Sequence, residues 1–428
     1  MMSVEMKDSG IVWIGEIPKH WEISLLSSLF FEHSLKNIGM QENNLLSLSY
    51  GKIIRKNIGE NGGLLPASFE GYNIISPNDI VFRLTDLQND KRSLRTALCT
   101  ERGIITSAYI TIRQRHDDVS ARYFHYLLHS YDECKVFYGI GNGVRQGMIY
   151  QDLRKLLLVL PPTKEEQSQI ANFLDKKCAE IDELIALQDQ MIAQLTTYKQ
   201  AIITETVTKG LDPNVKMKDS DVEWIGEIPE HWSLKRIKNE STLNPTINVS
   251  VLDDDSIVSY MPMECLRNGI IKQNSGKYYD VKHYTPFQEE DIVLAKVTPC
   301  FENGNIAIAR NLDNKVGFGT SEIFVIRCKD TMHNDFMFYY LQCPYVKNMG
   351  VASMTGTGGL KRVNPNVLNT MFLVYPPLSE QQSIANYLDQ KCNEIDELIS
   401  VKKDKIEKLK AYKKSVIFEY VTGKKQVN

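Results

Sequence analysis

Cationic and amide side chains gather at a few places along this 428-residue chain. Lys52, Arg55 and Lys56 form one group. Arg83, Gln88, Asn89, Lys91, Arg92 and Arg95 form a second, and Arg145-Gln146 follows the glycine-rich run Gly139-Ile140-Gly141-Asn142-Gly143. Further along, Arg267, Lys272 and Lys296 precede Asn303 and Asn305, and Lys361-Arg362 follows Gly356-Thr357-Gly358-Gly359. Such a mixture can recognise a nucleic acid. Lys and Arg neutralise phosphates, Arg and Lys read guanine in the major groove, and Asn and Gln read adenine. The glycines let backbone approach a phosphate closely. Taken singly, each residue reads as a solvated surface charge; taken as clusters, they support DNA contact.

Catalytic signatures are missing from the same sequence. There is no G-x-x-x-x-G-K-[ST] phosphate loop, no G-x-G-x-x-G opening a dinucleotide fold, no H-E-x-x-H and no H-x-E with C-x-x-C. Asn364-Pro365-Asn366 does not match the Asn-Pro-Pro-aromatic motif of adenine methyltransferases. The eight cysteines are scattered singly, which suits neither a zinc ribbon nor a disulfide framework and points to a reducing cytoplasm. No stretch is apolar enough for a membrane span, and MMSVEMKDSG has no apolar core for a secretory signal. The expectation is a cytoplasmic, non-catalytic chain with no metal site and no cofactor of its own. A net charge of −3 and a pI near 6.3 require any DNA-binding charge to be local. Residues 24–160 carry 16 basic and 13 acidic side chains, and residues 235–375 carry 15 and 14.

What must position these clusters is a framework written twice. Lys7-Asp8-Ser9 and Trp13-Ile14-Gly15-Glu16-Ile17-Pro18-Lys19-His20-Trp21 return as Lys218-Asp219-Ser220 and Trp224-Ile225-Gly226-Glu227-Ile228-Pro229-Glu230-His231-Trp232. Residues 170–185 return as 384–399 with three substitutions, Phe173/Tyr387, Lys176/Gln390 and Ala179/Asn393. Each copy follows a double proline, Pro161-Pro162 or Pro376-Pro377. His20 and His231 belong to this framework and read as packing residues. The regions between, about 24–160 and 235–375, match only in outline, as in Asp79-Ile80-Val81 against Asp291-Ile292-Val293 and Ile112-Arg113 against Ile326-Arg327.

Good helix formers and a 3-4 apolar rhythm predict long helices over about 165–207 and 380–420. The rhythm runs through Ile181, Leu184, Gln188, Met191, Leu195, Tyr198 and Ile202, and through Ile395, Leu398, Lys402, Lys405, Leu409, Tyr412 and Val416. So long a stripe cannot be buried by one helix alone, so the two helices are expected to pair as an antiparallel coiled coil. The intervening regions alternate short β-rich runs (104–112, 306–309, 322–327) with turn signals and read as mixed α/β. The predicted fold is α/β. Two mixed α/β domains are separated by two long antiparallel coiled-coil helices, in an internal tandem duplication with pseudo-two-fold symmetry. Its expected domains are 1–162, 163–210 (first helix), 211–377 and 378–428 (second helix and tail).

Over nearly its whole length the chain resembles the DNA specificity subunit of type I restriction-modification systems. The resemblance rests on the paired Trp-Ile-Gly-Glu-Ile-Pro-x-His-Trp elements. It rests also on Pro161-Pro162…Glu166-Gln167…Ile170 and Pro376-Pro377…Glu380-Gln381…Ile384, the linker Lys209-Gly210-Leu211-Asp212-Pro213-Asn214-Val215 and the ending Val421-Thr422-Gly423-Lys424. One departure is a one-residue difference between the loops 163–169 and 378–383. The resemblance implies two target recognition domains, each binding half of a split, asymmetric sequence in double-stranded DNA, with the helices setting the spacing. It implies two methyltransferase subunits as partners, using S-adenosylmethionine, and restriction (motor-nuclease) subunits using ATP and Mg. It implies no catalytic residue here; base flipping belongs to the partner. The Trp-bearing elements would be methyltransferase docking surfaces, or would pack each domain on the helices. Alternatives are a coiled-coil adaptor without DNA readout, a methylation-only specificity subunit, and a nuclease with a cryptic carboxylate site.

Overall fold

In the computed structural model, which describes residues 5–56, 68–87, 94–139, 147–357 and 359–427, two helices dominate the chain. They span Lys164–Lys209 and Leu378–Val421, 46 and 44 residues. The chain divides into two compact units: residues 1–188 with 404–428, and residues 189–403. Each unit therefore takes part of both long helices.

The two units share an inner sheet. In the first unit, four antiparallel strands run in the order Thr96–Leu98, Ile80–Phe82, Ile110–Gln114, Phe30–Glu32. In the second unit the order is Ile306–Ile308, Ile292–Ala295, Ile323–Cys328, Ser241–Leu243, again antiparallel. Ile80–Phe82 and Ile292–Ala295, which follow the two matching aspartates, are buried along their whole length. That burial on both faces explains why they read as continuous apolar runs and not as alternations. A short antiparallel pair closes each unit against its helices: Glu22–Leu25 with Leu157–Leu160, and Ser233–Arg236 with Phe372–Tyr375.

The outer layers differ. The first unit adds a three-stranded sheet (Gly103–Ile105, Asn73–Ile75, Leu35–Lys36) and a hairpin, Leu46–Ser49 with Lys52–Arg55. The run expected over 104–112 is two strands parted by a turn at 106–109. The second unit instead adds a four-stranded sheet ordered Asn274–Lys277, Ile257–Met261, Val316–Gly319, Thr285–Gln288, which contains one parallel pair.

Within each unit the helix segments run antiparallel. In the first, Lys413 Nζ meets Asp182 at 2.7 Å and Phe173 lies against Tyr420 with ring centroids 4.3 Å apart. In the second, Lys199 Nζ meets Asp396 at 2.6 Å. The seam is fully buried where it meets the domains: Ile170, Leu174, Ile181, Val416 and Val421 in the first unit, and Ile203, Val207, Ile384, Leu388 and Ile395 in the second. Leu184, Tyr198, Leu398 and Tyr412, which the 3-4 rhythm places in the seam, stay exposed. Two helices cover only one side of each other, so residues at the flank of the stripe keep much of their surface.

Candidate nucleic-acid interface

The duplicated framework is a set of polar contacts made twice. Trp21 and Trp232 are buried, and each indole Nε1 donates to a glutamate at a long-helix start, Glu166 at 2.8 Å and Glu380 at 2.9 Å. His20 and His231 Nε2 lie 3.4 and 2.7 Å from the same carboxylates. At the next residue, Gln167 Oε1 accepts the Ser120 N–H at 2.8 Å while its Nε2 donates to the Pro161 carbonyl at 3.2 Å. Gln381 does the same for the His333 N–H at 2.8 Å and the Pro376 carbonyl at 2.9 Å. Backbone groups that a proline-interrupted loop would bury unpaired are thereby satisfied. These contacts account for the identity of both copies, and show that Trp21 and Trp232 pack each domain on its helix.

A second repeated feature went unread in the sequence. Asp79, whose side chain is almost wholly buried, receives Arg113 through Nε at 2.6 Å and Nη2 at 2.8 Å, and also the Ser76 N–H at 2.8 Å. Asp291 receives Arg327 through the same two nitrogens, each at 2.8 Å, and the Gln288 N–H at 2.8 Å. A bidentate guanidinium plus a backbone donor is what a carboxylate needs in order to stay ionised inside a sheet. The signal lies in the matched Asp-Ile-Val and Ile-Arg positions, which the sheet brings into contact.

From this frame two loops converge in each unit. In the first, the Met148 N–H donates to the Leu84 carbonyl at 2.9 Å; in the second, the Val363 N–H donates to the Lys296 carbonyl at 2.9 Å. The loop that follows the buried central strand is thus tied to the one that follows the glycine-rich run. Several of the residues singled out from sequence sit on this edge.

In the second unit Lys296, Lys361 and Arg362 come together. Val297 bridges Arg362, and the Thr298 N–H reaches the Lys361 carbonyl at 2.9 Å. Lys296 places its ammonium 5.6 Å from the centre of the Phe324 ring. Lys361 is exposed, and Arg362 makes two bonds to Glu322, 2.8 Å from Nε and 2.7 Å from Nη2. Asn303 is exposed, whereas Asn305 is buried and its carbonyl accepts the Ala295 N–H at 2.9 Å. Arg267 and Lys272 are exposed on the hairpin Leu266–Arg267 with Ile270–Ile271, whose turn docks through the Gly269 N–H on the Ile306 carbonyl at 2.7 Å.

In the first unit Lys52, Arg55 and Lys56 are exposed on one hairpin, and Arg55 is held by Glu101. Arg83 is half-buried, its N–H bonded to the Arg95 carbonyl at 2.9 Å. Arg95 is fully buried; its Nη1 donates to the Thr85 carbonyl at 3.2 Å, and its backbone N–H donates to Asp132, whose carboxyl burial pushes up to about 6. Arg95 therefore presents no side-chain surface to a duplex. Gln88, Asn89, Lys91, Arg92, Arg145 and Gln146 lie outside the described residues.

Among the described residues no group of three or more His, Cys, Asp or Glu side chains is placed to hold a metal ion. Among them, no helix is long and apolar enough to cross a membrane. A cavity of about 920 Å³ in the first unit lies beside His125 and His129 against the long helices.

The family model for the type I restriction modification DNA specificity domain matches residues 229–408. The chain is 30% identical over 200 residues to the type I restriction enzyme EcoEI specificity subunit of Escherichia coli, which covers 46% of this chain and 33% of that protein. It is 26% identical over 431 residues to the putative type I restriction enzyme MjaX specificity subunit of Methanocaldococcus jannaschii, covering 97% of this chain and 96% of that one. The match thus spans about a third of the EcoEI subunit but nearly all of the MjaX subunit. Among solved structures, a chain from a study of complex assembly and conformational transition of the type I R-M system aligns with a TM-score of 0.67. It is 14% identical, over 95% of this chain and 99% of that one. The HsdS subunit from Thermoanaerobacter tengcongensis aligns at 0.50, with 14% identity over 95% and 98%. These structures share the fold: mixed α/β domains with long helices.

Proposed function

We propose, from the premise that this chain belongs to the family of type I restriction-modification specificity subunits, which are non-catalytic, that it reads a bipartite DNA target. Each converging-loop edge reads one half of the asymmetric sequence, and the long helices set the spacing. Residues 1–162 and 211–377 act as the two recognition domains, 163–210 and 378–428 as the helical spacers. The chain holds two methyltransferase subunits, which modify one adenine per half-site with S-adenosylmethionine, and restriction subunits that use ATP and Mg. The MjaX and EcoEI proteins carry the specificity-subunit name, and the solved chain with a TM-score of 0.67 comes from a study of complex assembly and conformational transition of the type I R-M system.

The observation that carries this reading is one inner frame built twice beneath two different outer layers. A binding role that needs the same support at two places but different contacts at each would select such a pattern. Exposed Lys52, Lys56, Arg267, Lys272 and Lys361 supply local positive charge to a chain whose total is −3.

The test is a genome-wide map of methylated adenine with the chain co-expressed with its neighbouring methyltransferase, and with the chain omitted. A split motif with one adenine per half, seen only with the chain present, is the expected result. Unchanged modification despite a confirmed complex would favour a coiled-coil adaptor without DNA readout. A split motif with no cleavage of unmodified DNA would mark a methylation-only subunit.

A further inference from the structure

The geometry points to Arg55 and Arg362 as guanine-reading residues, one in each unit, with Glu101 and Glu322 as positioning residues that aim them; this rests on the DNA-reading role proposed above. Glu101 meets Arg55 on its Nε–Nη2 edge, 2.8 Å from Nε, and Glu322 meets Arg362 on the same edge at 2.8 and 2.7 Å. A guanidinium has two edges that can make paired bonds. With the Nε–Nη2 edge taken, the Nη1–Nη2 end stays available, and that planar fork matches O6 and N7 of guanine in the major groove. Arg55 and Arg362 keep 72% and 48% of their side-chain surface exposed, so neither fork is enclosed by its own unit.

The Glu101 carboxylate is held by a second side chain, and Glu322 is fixed through its backbone. Glu101 Oε2 also accepts from Asn44 Nδ2 at 3.1 Å. Glu322 accepts the Lys296 N–H on its backbone carbonyl at 3.0 Å, which joins it to the strand-paired segments that carry Arg362. A tethered acceptor fixes the arginine's last torsions before a duplex arrives and lowers the entropy lost on binding. The hydrogen bonds from the arginines lower both carboxyls, so both pairs stay charged near neutral pH.

Other paired arginines differ in the edge they use or in exposure. Arg310 is shared between Glu290 and Asp335, with Nη2 serving both, so its outer end is engaged by carboxylate. Arg113 and Arg327 use the same Nε–Nη2 edge, but sit on buried aspartates inside the frame and keep only 33% and 26% of their side-chain surface. Arg102 has only its Nε on Glu42, at 3.2 Å. The two units reach the same chemistry from unrelated elements, the outer hairpin strand Lys52–Arg55 and the loop preceding helix Pro365–Thr370. A shared ancestral contact would sit at equivalent positions.

The experiment uses the full chain with its methyltransferase partner and reads the methylated-adenine motif for wild type, Arg55→Lys, Arg362→Lys and Glu322→Ala. Lys keeps the charge and loses the fork. Each lysine variant is expected to relax one guanine position, in opposite half-sites, by on the order of ten- to a hundredfold, leaving other positions intact. Glu322→Ala is expected to relax the same position as Arg362→Lys. Oligonucleotides carrying 7-deazaguanine, which lacks the N7 acceptor, are expected to weaken wild-type binding at those positions and not to weaken the matching lysine variant further. Motifs unchanged in both lysine variants, or a uniform loss at all positions, would overturn the assignment; the second result would mark phosphate contacts. A wild-type complex that gives no chain-dependent split motif would instead remove the DNA-reading function itself.

Discussion

The helix Ala121–Glu133 of the first unit and the shorter helix Asn334–Tyr340 of the second occupy the same place in the repeated frame. Tyr126 donates to Asp175 at 2.7 Å, and Tyr339 donates to Asp389 at 2.6 Å, two aspartates that hold the same position in the repeated helix. Around that fixed point the neighbours diverge. His125 and His129 of the first unit stand where Phe338 and Gln342 stand in the second. Contacts that fasten a domain to its helices have kept their chemistry, while the side chain one position away has changed polarity. The outer layers have changed topology altogether. Geometry of attachment is thus held constant and the rest is left to vary, the pattern that the proposed reading role requires.

The strongest test of the common frame removes the arginine from each buried carboxylate. Arg113→Met and Arg327→Met leave Asp79 and Asp291 buried with a backbone N–H and no counter-charge. Breaking such a pair costs about 3–5 kcal/mol, and because both arginines are partly exposed the lower end is expected. Urea denaturation followed by hydrogen exchange resolved to peptides of each unit measures the two costs. Losses matching within about 1 kcal/mol would confirm that the frame works alike on both sides, allowing for ordinary context dependence. A loss in one unit alone would break the comparison.

The next effect separates the units by pH. Nε2 of His125 is out of reach of solvent and unpaired, and burial brings the ring down from 6.5 to about 3; Phe338 has no such titration. His129 and the charges around it face the same interface: Arg122, Glu133 and Asp175, with Asp182 and Lys413 paired at 2.7 Å. Because the folded value lies below the unfolded one, the unfolded chain binds the proton more readily. Stability from neutral His125 is therefore complete above about 6.5 and is lost as pH falls toward about 3. The slope is at most about 1.4 kcal/mol per pH unit for one proton. Thermal melts or hydrogen exchange between pH 7 and 4.5 should show the first unit loosening before the second, and His125→Phe should remove most of the difference. Equal acid sensitivity in His125→Phe and wild type would show that the loss comes from other groups.

How far these features could be read in advance follows from how close in sequence their parts lie. The helix starts were legible because Trp21, Glu166 and Gln167 recur as Trp232, Glu380 and Gln381, and identity at two places marks a shared constraint. The inner sheets were not legible: strands of three to six residues carry too little periodicity to set an order. Nearness in sequence groups Arg95 with Arg92, yet the chain buries the Arg95 side chain and ties it to the Thr85 carbonyl. Glu101 and Glu322 went unnoticed for the opposite reason. They lie 46 and 40 residues from the arginines they hold, and only the folded sheet brings them together.

The smallest effect tests whether the helix segments hold together by charge or by apolar burial. Lys413 with Asp182 in the first unit and Lys199 with Asp396 in the second are equivalent ion pairs at nearly the same distance. Lys199 and Lys413 are partly covered, but Asp182 and Asp396 keep about half their surface, so solvent screens both pairs. Each is expected to contribute only about 0–1 kcal/mol. The buried leucines and isoleucines beside them remove apolar surface worth about 1.5–3 kcal/mol per side chain. Lys413→Met and Lys199→Met should therefore shift urea midpoints slightly and by similar amounts, with the shift shrinking further in 1 M salt. Leu174→Ala and Leu388→Ala, in the buried seam of the two units, should each cost about 2–5 kcal/mol whatever the salt. A lysine substitution as costly as its neighbouring leucine substitution would mean that the segments are held by charge, and their spacing would then depend on ionic strength.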